Sequence, residues 1–114
     1  MSSGFQAYLE DMFCEVPGIG FRRMFGGTGI FRDGVMIGLV VSEVLYLKAD
    51  DGTAARFESE GKGAFVYSRK GEPVSLSYYE VPDRLFEDPE DFRAWVDMAT
   101  HTALAAQKKT RRKR

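Results

Sequence analysis

Apolar residues recur in this chain with two different periods. Phe5, Tyr8, Leu9, Met12 and Phe13 follow one another at three-and-four spacing, which gathers them on one face of a helix until Pro17-Gly18 ends the pattern. Ser3 and Gln6 have the S-x-x-Q spacing of a capping box at the start of that helix. The period then shortens. β-Formers accumulate over residues 28–31, 35–41 and 44–48, which predicts three consecutive strands. Asp33-Gly34 sits between the first two and suits a type I′ turn, where both central residues need positive φ. Ser42-Glu43 has weaker turn chemistry, so the second hairpin is inferred from the shortness of the link, which also requires antiparallel pairing.

Asp50 or Asp51 can cap a second helix through Glu58, and Gly61 stands where a C-terminal cap belongs. Residues 65–67 and 74–79 predict another hairpin across Arg69-Lys70-Gly71-Glu72. In its second strand Val74, Leu76 and Tyr78 alternate with Ser75, Ser77 and Tyr79, which assigns Tyr78 to the core and Tyr79 to the other face or an interface. The last helix is the best marked. Asp88-Pro89-Glu90-Asp91 supplies a cap, a proline for the first helical position and carboxylates at the positive end of the dipole. Phe92, Trp95, Val96, Ala99, Ala103 and Ala106 then line one side, with His101 opposite. The predicted order is α-β-β-β-α-β-β-α: an α+β fold of two layers, with a five-stranded antiparallel sheet packed against helices.

Composition adds limits. With 114 residues and 44% hydrophobic content the chain is sized for one domain, and no apolar run approaches a membrane span. The N-terminus lacks the charged and apolar regions of a secretory signal, so a cytoplasmic location is expected. One cysteine, Cys14, and one histidine, His101, exclude an internal disulfide and the usual zinc sets. The net charge of −1 combines an acidic body of −7 with a basic tail: Lys108, Lys109, Arg111, Arg112, Lys113 and Arg114. The body is taken as residues 1–107 and the tail, 108–114, as disordered when free.

Four segments together resemble one known family. They are Arg22-Arg23-Met24-Phe25-Gly26-Gly27-Thr28-Gly29-Ile30, Asp33-Gly34-Val35-Met36, Leu45-Tyr46-Leu47-Lys48-Ala49-Asp50 and Ser77-Tyr78-Tyr79-Glu80-Val81-Pro82. In this order they resemble the N-terminal domain of the TfoX/Sxy family, named for regulators of bacterial natural competence, here in a stand-alone version. The resemblance implies a two-layer α+β fold similar to that of secretion chaperones. It also implies a regulatory role through protein contact, with a homodimer through the sheet or an exposed helix as a secondary expectation. It transfers no catalytic residue and no cofactor.

The glycines of 26–29 match neither the dinucleotide nor the phosphate-loop spacing, and read as a sharp entry to a strand or a bulge in it. Tyr78 and Tyr79 are adjacent in a strand and so point apart. Cys14 and His101 lie at a helix end and on an exposed helix side, a poor basis for a nucleophile–base pair. Glu87, Asp88, Glu90 and Asp91 lack the glycine turn of a hard-cation loop and serve the helix dipole. No catalytic, metal or cofactor site is assigned. The six tail cations are the candidate nucleic-acid contacts, weak and without sequence preference, with at most about 0.9 of salt slope per phosphate neutralised. A small-molecule pocket around Arg23, Gly26 and Tyr79 is the remaining alternative.

Overall fold

The structure, a computed structural model, describes residues 3–24 and 26–112; for residues 3, 69, 73–76 and 109–112 only the backbone is described. Along the chain run α1 (Ser3–Met12), β1 (Ile19–Met24), β2 (Gly27–Arg32), β3 (Val35–Val41), β4 (Val44–Lys48), α2 (Asp51–Glu58), β5 (Ala64–Arg69), β6 (Glu72–Glu80), a 3-10 turn (Asp83–Glu87) and α3 (Pro89–Arg112). All six strands form one antiparallel sheet in the order β1-β2-β3-β4-β6-β5.

The expected α+β class and antiparallel meander are present, but the sheet has six strands, not five. The added strand is β1. Ile19 and Phe21 turn toward the core, while Gly20, Arg22 and Arg23 are exposed, so an edge strand with two apolar anchors lacks the density of β-formers seen further on. Gly26, at φ 73°, turns β1 into β2. A bulge lies beyond it, where the β2–β3 register shifts between Ile30 and Phe31.

Three two-residue turns set the hairpin registers. Asp33-Gly34, Ser42-Glu43 and Lys70-Gly71 all have positive φ at both positions, as type I′ geometry requires. Glu43, at φ 61°, has no glycine-like freedom to offset the crowding of its Cβ. Replacing Ser42-Glu43 with Asn-Gly should therefore raise stability by about 1 kcal/mol. A urea midpoint moved upward with an unchanged slope checks this.

Asp50 caps α2: its carboxylate accepts from the Thr53 N–H at 2.8 Å, and the Thr53 hydroxyl accepts from the Asp50 N–H at 2.9 Å. At the far end Gly61, at φ 79°, lets the Lys62 N–H reach the Phe57 carbonyl. At the first helix Gln6 donates its side-chain amide forward to Glu10, and the side chain of Ser3, the other half of the expected box, lies outside the described residues. Asp88 accepts from the Asp91 N–H at the start of α3.

One apolar layer joins the helices to one sheet face. Leu9 from α1, Phe13 just beyond it, Phe57 from α2 and Phe92, Trp95, Val96, Ala99 and Ala103 from α3 bury against Ile30, Ile37, Val40, Leu45 and Leu47. Arg32 ties the sheet to α3 by donating to Asp97 at 2.8 Å and to Thr100 at 3.1 Å. That hydrogen bond holds the Asp97 carboxyl below its ordinary range. No helix among the described residues is long and apolar enough to cross a membrane.

α3 continues into the basic segment, through Arg112. Gln, Lys and Arg are good helix formers, and cations at a helix C-terminus complement its dipole. Lys113 and Arg114 lie outside the described residues.

Candidate interaction surface

Leu45 and Leu47 on β4 are almost fully buried beneath the helices, so the alternate residues Tyr46 and Lys48 point to the opposite face of the sheet. Cross-strand pairing carries that assignment outward. Lys48 pairs with Tyr78 and Tyr46 with Glu80 on β6; Leu39 on β3 pairs with Tyr46 and with Gly29 on β2; Gly29 pairs with Arg22 on β1. None of the three helices lies on this outer face, because their buried side chains all belong to the core on the other side.

Its chemistry is aromatic and apolar, with few charges. The Tyr46 and Phe65 rings meet edge to face at 5.1 Å, and Phe65 stacks with Tyr67 at 6.2 Å. The Lys48 ammonium sits 5.1 Å from the Tyr78 ring and the Arg22 guanidinium 5.0 Å from the Phe31 ring. Leu39 is only 1% exposed although it lies outside the main core cluster, so these side chains bury a small apolar layer of their own. Burial pushes the Tyr78 phenol above its ordinary pKa, and burial followed by the nearby Glu80 carboxylate does the same for Tyr46. Both phenols therefore stay protonated and neutral near pH 7.

The two tyrosines that the alternation separates do point apart, with the faces exchanged. Tyr79 pairs with Leu47 and packs on Phe57 at 5.6 Å, which makes it the core-side residue, while Tyr78 belongs to the outer face. Alternation tells which residues share a face; on a sheet with large side chains on both faces it does not say which face the helices cover.

The other candidates are not assembled. Arg23 and Gly26 sit at the β1–β2 end, whereas Tyr79 is on β6, four strands away and so roughly 19 Å across the sheet. Cys14 is exposed beside an open depression of about 720 Å³ that also meets Glu15, Pro89, Glu90 and Arg93. His101 lies eight residues beyond Arg93 along α3, about 12 Å at helical rise, so it cannot serve Cys14 as a base. Among the described residues no group of three or more His, Cys, Asp or Glu could hold a metal. Asp91 instead pairs with Arg84 at 2.6 Å. Lys108, the one tail cation with a described side chain, is exposed; the side chains of Lys109, Arg111, Arg112, Lys113 and Arg114 lie outside the described residues.

The alternation predicts a second face to the sheet but assigns it Tyr79 and not Tyr46, Phe65 or Tyr67. A usable signal was present: Tyr46 and Lys48 alternate with Leu45 and Leu47, and Phe65 and Tyr67 flank Val66, where a solvated face would carry Ser, Thr or Glu.

Fold and surface together define a two-layer α+β domain whose sheet is covered by helices on one side only. The chain belongs to the TfoX N-terminal domain family, which it matches over residues 11–103. It is 31% identical over 78 residues to the DNA transformation protein TfoX1 of Aliivibrio fischeri (strain ATCC 700601 / ES114). That match covers 68% of this chain and 37% of the relative's length.

Proposed function

We propose that this chain is a non-enzymatic regulatory domain that works by protein contact through the outer face of its sheet. One observation carries the reading: a six-stranded sheet buries one face under three helices and leaves the other without a helix, with the Tyr46, Phe65 and Tyr67 rings in contact on it. Aromatic side chains on a sheet face that no helix covers suit association with another molecule. Similarity to a DNA transformation protein supports a regulatory setting.

A second reading has the basic end of α3 contacting nucleic acid. It is favoured by the continuation of the helix through Arg112, which strings cations along a regular scaffold.

One complementation experiment separates the two. In a host lacking the gene, the wild-type chain should restore the transcript profile. Tyr67→Glu, which places a charge on the outer face, should fail to restore it, and Leu104→Lys, at an exposed position of α3, should succeed. A chain shortened after Gln107 should also succeed; its failure would favour the nucleic-acid reading. Full complementation by Tyr67→Glu would remove the interaction reading.

A further inference from the structure

From the register of the sheet, and building on the interaction reading above, we infer that the occupant of the outer face is a second copy of this chain. The two copies meet sheet to sheet about a two-fold axis parallel to the strands.

Size is the first argument. Six strands about 4.8 Å apart and roughly 20 Å long give a face on the order of 600 Å². Two such faces bury about 1,200 Å² in total, the lower bound of specific protein interfaces. Sheets packed face to face keep their strands nearly aligned, which an axis along the strands permits.

Charge is the second argument, and it fixes the geometry. Arg22, Gly29, Leu39, Tyr46 and Glu80 are successive cross-strand partners and so form one rung across the sheet. The basic end of that rung is on β1, with the Arg22 guanidinium leaning over the Phe31 ring of β2; the acidic end is on β6. A two-fold axis between β3 and β4 maps each rung onto itself in reverse, placing β2 of one copy over β6 of the other. Each Arg22 then faces the partner's Glu80, and the contact occurs twice because a two-fold interface is isologous. Near the axis the Tyr46 side chains of the two copies meet, each above the Leu39 already buried within its own copy. Glu80 is available for this contact: its side chain is 37% exposed and its bond to Lys62 is long, at 3.5 Å. The same carboxylate, in a row of aromatics on an acidic body, opposes a nucleic-acid strand as occupant.

Sedimentation of the full chain over a concentration series tests the inference, with circular dichroism to confirm folding. The wild type should be dimeric at roughly 100 μM, as an interface of standard size allows. Arg22→Glu and Glu80→Arg should each weaken the dimer at least about 10-fold by setting like charges opposite each other, and the double swap should recover to within about 3-fold of wild type. Should Glu80→Arg not fold, Tyr67→Glu gives the same weakening from the rim of the patch. A wild-type monomer, single variants that dimerise normally, or a double swap without recovery would each overturn the inference. So would a monomer that binds a single-stranded oligonucleotide and loses it in Tyr67→Glu. A monomeric wild type combined with failed complementation by Tyr67→Glu would remove the dimer and leave the interaction reading standing; an intact charge swap combined with full complementation would do the reverse.

Discussion

Replacing Trp95 with alanine should cost the domain about 3–5 kcal/mol, a large part of the total stability of a chain this size. Trp95 is 3% exposed and faces the sheet from α3. Its ring receives the Phe57 ring edge-on at 4.9 Å and an interplanar angle of 88°, and the Arg56 guanidinium lies 5.6 Å from its centroid. It therefore joins α3 and α2 to one core, and truncation empties a site that backbone movement cannot close. Arg56→Ala, which removes only the cation from the exposed side, should cost no more than about 1 kcal/mol. Urea unfolding of the three proteins checks both values. Equal losses in the two variants would mean that the ring is held by the guanidinium and not by the core.

Gly27→Ala should be nearly as damaging, at about 3 kcal/mol, for a different physical reason. A Cβ at this position would lie 2.2 Å from the Val40 carbonyl oxygen, so β2 and β3 would have to separate locally. Other glycines of the same sheet give graded controls. At Gly38 the nearest atom is the Tyr46 carbonyl oxygen at 3.0 Å, and a smaller loss is expected. At Gly29 the obstacle is the Met24 sulfur at 2.5 Å, the end of a flexible thioether that can swing away, and the loss should stay below about 1 kcal/mol. Thermal or chemical denaturation of the three alanine variants should rank them Gly27, Gly38, Gly29 in decreasing cost. Another order would show that space beside the strands does not govern these positions.

The elements most readable from the chain were those where local chemistry and tertiary packing agree. Asp33-Gly34 requires the turn it makes, and Asp50 caps the helix that follows it. Phe92, Trp95, Val96, Ala99 and Ala103 show the same face in the sequence as in the fold. The strand β1 was hidden because an edge needs few apolar anchors, and Arg22 and Arg23 interrupt the expected run. The 3-10 turn buries Leu85 alone and has no period to detect. The outer face was hidden for a deeper reason. Its rows are assembled from β1, β2, β3, β4 and β6, and only the cross-strand register places Arg22, Leu39, Tyr46 and Glu80 in line. A one-dimensional pattern contains alternation but not that alignment.

The position of α3 also has a consequence during synthesis. This helix lies on β3 and β4, yet it is translated after both. Hairpins close within about 10 μs, whereas a ribosome adds roughly 5–20 residues per second, so the meander has formed seconds before its cover exists. In that interval Ile37, Val40, Leu45 and Leu47 present a greasy plane to the surroundings of the ribosome, and the nascent chain is then most in need of a holdase or of spacing from its neighbours on the same message.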